Sequence, residues 1–368
     1  MGVVNLTIAQ MRRAPLRTGL LVLVVAVLFF LVEYLAAVSS SLQALNTGAL
    51  ARLGADLVVY SAGSGDSLDA SRMTSTDVIA AARAGGVAHA QALGVADFTV
   101  AGPGGRYELD LIGLDPGPAW PRPAAGILPG AGQALADTTE VRAGLGIGHR
   151  IVLAPGGVTL RVTGLAAGVR YDGLVTVWTT FASWEQAVHA ADPGGLVVPN
   201  AVAVRVGPGV SAAVVADRLA AALPGSVVLT RAAAVADVAG AEVLRVTFGL
   251  LIAVAFLAAV LVTGSVFLLL TLQRARTWVL LRGLGASAGR LAVAVMVQAV
   301  FVVVAACAVA SAALAVVGAL SGPGFPVHAA PGLLLGTLGS ALAGALVSSL
   351  LPIRRIGRLD PAAALVRG

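Results

Sequence analysis

The chain has 368 residues, of which 58% are hydrophobic and only 11% are charged, and its formal net charge is +6. About a quarter of the residues of soluble proteins are charged, so this composition excludes an ordinary soluble protein and indicates membrane segments with one soluble domain. Every basic residue is an arginine. The arginines cluster at the ends of apolar runs, as the positive-inside rule requires, so the basic balance does not indicate a nucleic-acid partner.

The first apolar run, residues 18–37, follows a basic N-terminus at residues 1–17. A helix of about 20 residues spans the hydrocarbon core of a membrane, so we predict a transmembrane helix here. A cleaved signal peptide is the alternative, because Ala36, Ala37 and Ser39 weakly resemble a cleavage site. Signal peptides have apolar regions of about 7–15 residues, and the greater length of this run favours an uncleaved anchor.

Glu33 is the one charged residue inside the first run, and Tyr34 follows it. An ionisable group in a membrane segment is a functional candidate by default. At a rise of about 1.5 Å per residue, Glu33 lies roughly 22 Å along the helix from Thr18, in the outer leaflet. Two interpretations stay open. Either the carboxylate reaches interfacial water, or it contacts a substrate or another subunit.

Residues 38–242 have a different character, with glycine, proline, aspartate and short alternating segments. Helical and strand patterns interleave, which predicts one mixed α/β domain large enough to bury its own core. Helices are predicted at residues 75–83, with Ser75 or Thr76 as N-cap, and at residues 211–223. A hairpin turn is predicted at residues 102–105. Strands are predicted at residues 56–60, 107–113, 150–153, 160–163, 175–178, 201–206 and 226–230.

Three further apolar runs follow the soluble domain, at residues 246–272, 291–320 and 332–353. Each is long enough to span a membrane. The last two are separated by residues 321–331, which are rich in proline and glycine. We therefore predict an integral membrane protein with four transmembrane helices, in which the α/β domain is inserted between the first and the second.

The arginines predict the orientation of these helices. Residues 1–17, 273–290 and 354–368 are basic, whereas residues 321–331 contain no arginine. Under the positive-inside rule, both termini and the 273–290 segment are cytoplasmic, and the 38–242 domain is extracytoplasmic.

Small residues recur at every fourth position of the last run, at Gly332, Gly336, Ser340, Gly344 and Ser348. Such a face lets a neighbouring helix approach closely and is typical of a dimer or bundle interface. Chance spacing in a span rich in alanine and glycine is the alternative.

Motifs for nucleotide, metal or enzyme chemistry are missing from the sequence. The P-loop pattern requires a lysine, and the sequence contains none. HExxH and CxxC are absent and the four histidines are scattered, so no metal site is predicted. The acids of the soluble domain show no paired-carboxylate pattern. We therefore predict a protein that is not an enzyme.

The 273–290 segment holds four arginines between two apolar runs and predicts a short amphipathic helix at the inner membrane face. Trp278, Leu280 and Leu281 would form its apolar side, which is suited to docking in a groove of a partner protein. An ordinary basic loop is the alternative.

One helix, a large outer domain and three further helices is the layout of the FtsX/MacB-type ABC transporter permeases, the type VII fold. The chain resembles this family along nearly its whole length. The sequence RARTWVLLRGLGASAGR is similar to the family's coupling segment, commonly RRREIGLLRALGAS, although Trp278 replaces the usual Ile and Thr277 the usual acid. The resemblance implies an ATPase-coupling role for Arg274, Arg276, Trp278, Leu280, Leu281, Arg282, Leu284, Gly285, Ala286 and Ser287.

Two further motifs support the resemblance. The tail RRIGRLDPAAAL is similar to the family's DPAEALR ending through Arg358, Asp360, Pro361 and Leu365. The stretch GLGIGHRI resembles the family's GLxVGDxI pattern, although His149 replaces the usual aspartate.

The sequence SLQALNTGALARLGADLVVYS is similar to the haem-exporting HrtB-like and the DevC-like permeases of this family. A haem substrate would need an axial ligand near the outer leaflet. In the first span, Glu33 and Tyr34 are the candidates for that substrate-binding role.

The resemblance implies a homodimeric, multi-pass permease of a bacterial plasma membrane, which works with a separate cytoplasmic P-loop ATPase and contacts lipid. No cofactor binds directly, because ATP acts through the partner. The implied function is export or extraction of a hydrophobic or amphipathic substrate, such as haem, a drug, a lipid or a lipoprotein. The alternative is a mechanotransmitter that transports nothing and activates an extracytoplasmic protein. A membrane-anchored receptor without an ATPase is disfavoured by the coupling-like segment and the tail.

Overall fold

The computed structural model describes residues 15–65, 67–102, 105–238, 241–273, 287–321, 332 and 334–344. The chain divides into two compact units. We call the first the membrane unit; it contains the described residues up to Ser39 and from Val246 onward. The second, the α/β domain, contains Ser40–Arg245.

The membrane unit is built from long apolar helices. Within the described residues, three helices are long and apolar enough to cross a membrane, and a shorter apolar helix follows them. They are α1 (Pro15–Arg52), which continues into the α/β domain, α6 (Ala241–Gln273), α7 (Ala288–Leu320) and the shorter α8 (Leu334–Gly344). The fourth predicted span, residues 332–353, extends past the described residues, so the count of four spans stays a prediction.

The helices of the membrane unit pack through small side chains. Four of the buried positions on α1 fall four apart, at Val25, Phe29, Glu33 and Ala37, so they form one stripe along the helix. The facing stripe of α7 is rich in alanine and valine, which allows two helix backbones to approach closely. Leucines and valines on the other faces of these helices are exposed, as expected of side chains that contact lipid.

The α/β domain contains one mixed sheet. Its described strands run in the order β10-β1-β9-β2-β3-β8-β5-β7-β4, and β6 pairs with β2 and β7. The strands are β1 (Leu57–Ser61), β2 (Val87–Gly102), β3 (Gly105–Leu114), β4 (Ala125–Gly126), β5 (Gln133–Asp137), β6 (Arg150–Ala154), β7 (Thr159–Ala166), β8 (Val175–Thr180), β9 (Ala201–Val206) and β10 (Ser226–Thr230). The helices are α2 (Ser75–Arg83), the 3-10 helix Thr138–Ala143, α3 (Phe181–Ala191), α4 (Ala212–Ala222) and α5 (Arg231–Ala236).

Both faces of the sheet are covered. Side chains of even number on β3, such as Ile112 and Leu114, pack with the last turns of α1, with α5 and with Trp178. Side chains of odd number, such as Leu109 and Leu111, pack on the opposite face with α3. Because successive residues of a strand point to opposite faces, the alternation places one core on each side of the sheet.

Two glycines in the β2–β3 hairpin contact the tryptophan of α3, Trp184. Gly94 lies directly opposite Gly113 in the antiparallel register. A Cβ atom at Gly113 would stand 2.3 Å from Cβ of Trp184, and one at Gly94 would stand 2.6 Å from its Cε2. The indole therefore lies directly on the backbone of the sheet. Burying a large apolar side chain in this way contributes roughly 1.5–3 kcal/mol to stability.

Most of the predicted elements are confirmed. The helix at residues 75–83, the helix near residues 211–223 and all seven predicted strands are present, and β2 and β3 form the predicted hairpin. The predicted N-cap of α2 was wrong. Thr74 is the cap, because its hydroxyl accepts from the Asp77 N–H while the Asp77 carboxylate accepts from the Thr74 N–H, a capping box. The prediction missed β2, β4, β5, α3, α5 and the 3-10 helix.

Candidate functional site

Glu33 lies at the meeting point of three helices in the membrane unit. Its side chain is fully buried. The Ser311 hydroxyl of α7 lies 3.1 Å from each of its carboxylate oxygens, and the Thr337 hydroxyl of α8 lies 3.5 Å from Oε1. We call Glu33, Ser311 and Thr337 the buried polar cluster.

Burying the side chain of Glu33 would be energetically unfavourable without these hydrogen bonds. A polar group that is buried without partners loses its hydration energy, and the penalty is larger for a carboxylate than for a neutral group. The side chains around the cluster are apolar and include Phe29, Ala306 and Ala310. The Ser311 hydroxyl thus supplies the main polar contact that water would otherwise make, and it ties α1 to α7. The Thr337 hydroxyl is a weaker contact from α8, because it also donates to the Leu334 carbonyl at 3.0 Å.

The burial of Glu33 decides between the two interpretations of this residue. The interpretation that its carboxylate reaches interfacial water is wrong, because the side chain has 0% exposure and points into the helix bundle. A contact with substrate or with another subunit stays a prediction. Tyr34 is half-buried, and its ring stacks on Phe30 with centroids 5.9 Å apart.

The small residues of α8 have different surroundings. A Cβ atom at Gly344 would stand 2.7 Å from Cγ2 of Val260, so the two helix backbones are close there. At Gly332 and Gly336, an added Cβ would meet no described atom within 4 Å. Ser340 is exposed and donates only to the Thr337 carbonyl among the described residues. The predicted role of this face in helix packing stays a prediction.

The predicted ATPase-coupling residues lie almost entirely outside the described part of the chain. Residues 274–286 and the tail residues Arg358, Asp360, Pro361 and Leu365 are in this group. Ser287 is described, and it is exposed immediately before α7. The segment is therefore located by its neighbours, since α6 ends at Gln273 and α7 begins at Ala288.

The α/β domain contains a pair of acids that the sequence analysis missed. Asp97 on β2 and Asp110 on β3 are directly opposite in the antiparallel register, so the expectation of no paired carboxylates was wrong. Asp110 is 2% exposed, and its Oδ2 has no hydrogen-bond partner among the described residues. Burial, together with Asp97 and the more distant Asp172 and Asp69, raises the pKa of Asp110 to about 9. Asp110 therefore holds its proton at neutral pH.

A buried ion pair supports the region that carries the GLGIGHRI motif. Nη1 of Arg170 lies 3.3 Å from Oε1 of Glu140, and both side chains are at most 10% exposed. Arg170 also donates to the carbonyls of Leu174 and Gly173, at 3.0 and 2.9 Å. Burial raises the pKa of Glu140, whereas the charge of Arg170 acts in the opposite direction.

These acids do not form a metal site. Among the described residues, no group of three or more His, Cys, Asp or Glu side chains is placed to hold a metal ion.

Part of the chain matches a known protein family. Residues 249–361 match the family model described as FtsX-like permease C-terminal. The periplasmic region of MacB from Actinobacillus actinomycetemcomitans is similar over 50% of this chain and 92% of its own length, with 10% identity and a TM-score of 0.37. The extracellular domain of the noncanonic ABC-type transporter YknZ from Gram-positive bacteria is similar over 47% of this chain and 98% of its own length, with 14% identity and a TM-score of 0.37. No curated protein matches the chain significantly.

Proposed function

From the premise that residues 249–361 are an FtsX-like permease C-terminal domain, we propose that this chain is the membrane subunit of an ATP-driven ABC transporter. It exports or extracts a hydrophobic or amphipathic substrate, and a separate cytoplasmic ATPase supplies the energy. The family match carries this proposal, because the matched range contains the whole 273–290 segment and continues to Pro361 of the tail motif.

The energy enters at the 273–290 segment. The sequence contains no lysine and so no P-loop, and in this proposal the nucleotide is bound by another protein. The segment joins the end of α6 to the start of α7. A force on it is therefore applied directly to two helices that are each 33 residues long.

The buried polar cluster is where this force changes the membrane unit. Ser311 lies 23 residues after the start of α7 at Ala288, or about 35 Å along the helix. A hydrogen bond is lost when its donor and acceptor separate by about 1 Å, so a small shift of α7 separates Ser311 from Glu33. In this proposal the cluster holds α1, α7 and α8 together at rest, and its opening exposes Glu33 to the substrate or to a second copy of the chain.

The assembly experiment tests the ATPase assignment. We expect Leu281→Asp and Arg282→Glu to abolish co-purification of the full chain with its ATPase, since they place a charge in the docking face or reverse one beside it. Arg83→Glu, on the exposed side of α2, is the matched control and should assemble normally. Undiminished assembly and ATPase coupling in both segment variants would remove the assignment.

The same complex separates transport from pure mechanotransmission. ATPase activity that rises with a hydrophobic substrate in liposomes supports export. Activity that responds only to an extracytoplasmic protein supports the alternative, in which the chain transmits force and moves nothing.

Haem is one candidate substrate, and Glu33 tests it directly. In the closed cluster both carboxylate oxygens are bonded to Ser311, so an iron ligand would have to displace this hydroxyl. If Glu33 is the axial ligand, Glu33→Ala changes the haem difference spectrum of the purified chain and Tyr34→Phe does not. Identical spectra for wild type and Glu33→Ala would exclude the ligand role.

A further inference from the structure

An arginine-lined cleft lies in the α/β domain. Its volume is about 450 Å³, within the range of small-molecule sites. Four separate elements each contribute one arginine to its wall. Arg52 ends α1, Arg122 lies in the loop before β4, Arg205 is on β9 and Arg231 begins α5.

The charge in this cleft is unbalanced. Among the described residues, Asp56 is the only acid that lines it, which leaves a formal excess of three positive charges. Asp56 is already engaged, because its Oδ2 accepts from the Val206 N–H at 2.9 Å. Among the described residues, none of the four arginines forms an ion pair. A concave surface of one sign concentrates its field and attracts ions of opposite charge.

Two of the arginines have a structural role that leaves most of their donors unused. Arg231 donates from Nη1 to the Leu53 carbonyl at 3.0 Å. Arg205 donates from Nη1 to the carbonyls of Gly54 and Pro118, both at 3.4 Å. The Leu53 and Gly54 carbonyls lie just past the end of α1, where cations are favourable. A guanidinium carries five N–H donors, so four remain on Arg231.

Arg122 has no such role. It is exposed, and it makes no hydrogen bond or ion pair within the described residues. Trp120, Pro121 and Val169 also line the cleft, but all three are buried, whereas the four arginines are exposed. The groups that the cleft offers to a ligand are therefore mainly guanidinium groups.

We propose that this cleft binds the oxyanion, phosphate or carboxylate, of a ligand. Arginine recognises both groups through paired N–H donors. The source of the oxyanion is either a soluble compound or the head group of an anionic lipid. This inference is independent of the ATPase assignment, because it rests only on residues of the α/β domain.

Titration of the purified full chain with inorganic pyrophosphate tests the site. We expect the wild type to bind, and Arg122→Ala to weaken binding by about tenfold or more, as for loss of one charged hydrogen-bonding group. Arg122→Ala breaks no hydrogen bond or ion pair within the described residues, and the side chain is exposed, so the fold should be unaffected. The control is Arg83→Ala, which removes an equal charge from α2 outside the cleft and should bind as the wild type does.

Native mass spectrometry with phosphatidylglycerol distinguishes the two sources. Retention of this lipid by wild type and Arg83→Ala, but not by Arg122→Ala, identifies a lipid head group as the occupant. Pyrophosphate binding without such retention identifies a soluble anion. If neither probe binds, or if both bind Arg122→Ala as tightly as the wild type, the cleft is not an oxyanion site.

Discussion

Replacing Asp110 by asparagine should make the α/β domain more stable at neutral pH and less sensitive to pH. The folded domain keeps a proton on this buried carboxyl, because its pKa is raised to about 9 from an ordinary value of 3.8. The unfolded chain releases the proton above the ordinary value. As the pH rises from the pKa of the unfolded state toward the pKa of the folded state, the equilibrium therefore shifts toward unfolding. The asparagine amide is neutral in both the folded and the unfolded state. Its N–H group can donate a hydrogen bond to Asp97, as the protonated carboxyl of Asp110 does.

The magnitude follows from the pKa difference. One pH unit is equivalent to about 1.4 kcal/mol for a group that is protonated in one state and ionised in the other. Stability from the protonated carboxyl is fully present below about pH 4 and is lost progressively as the pH rises toward 9. Between pH 5 and pH 8 the wild type should thus lose up to about 4 kcal/mol from this residue. The free energy of unfolding of Asp110→Asn should therefore lack this part of the pH dependence.

Urea unfolding of the full chain in detergent, followed by tryptophan fluorescence, measures the effect. Three of the four tryptophans, Trp120, Trp178 and Trp184, lie in the α/β domain, so the signal reports mainly on this unit. Asp217→Asn, on the exposed face of α4, is the matched control and should keep the wild-type pH dependence. If Asp110→Asn has the same slope between pH 5 and pH 8 as the wild type, Asp110 is ionised in the folded state and the reasoning fails.

Three other substitutions test the packing and polar contacts. Arg170→Ala leaves the buried carboxyl of Glu140 without its ion partner and should cost about 3–5 kcal/mol in urea unfolding. Gly113→Ala forces a Cβ against the buried indole of α3 and should lower the free energy of unfolding, measured by urea, by about 1–3 kcal/mol. Ser311→Ala removes the hydroxyl that bonds Glu33 and should lower the melting temperature of the membrane unit, by an amount equivalent to about 1.5–3 kcal/mol.

Each substitution has a control of the same chemistry. Arg83→Ala removes an exposed arginine, and Gly146→Ala adds a Cβ whose nearest atom is 3.9 Å away. Ser265→Ala removes a hydroxyl that bonds only a carbonyl of its own helix. These controls should unfold as the wild type does. A variant that is no less stable than its control would show that the corresponding contact contributes little to the folded state.

The elements that sequence patterns predicted are those with strong local signals. β1 and β9 are rich in valine, which suits a pleated and half-buried surface. The longest strand, β2, was missed because its first half is VAHAQALG, in which alanine, histidine and glycine carry little strand preference. This segment becomes a strand mainly through its pairing with β9, which lies much later in the chain.

The candidate sites depend even more on non-local geometry. The burial of Glu33 has a partial local signal, since it continues the four-residue spacing of Val25, Phe29 and Ala37. Its partners Ser311 and Thr337 are about 280 and 300 residues away, and no periodicity connects them. The pairing of Asp97 with Asp110 likewise depends on the hairpin register, which a shift of one residue would destroy.

The glycine pair beneath Trp184 also restricts how this protein can diverge. Gly94 and Gly113 leave room for the indole only because neither has a Cβ. Positions 94, 113 and 184 should therefore covary among relatives. A relative with alanine or serine in place of either glycine should have a smaller residue in place of the tryptophan. An alignment of relatives in which the tryptophan persists while the glycines vary freely would show that α3 can move away from the sheet, and that its distance from β2 and β3 is not set by this contact.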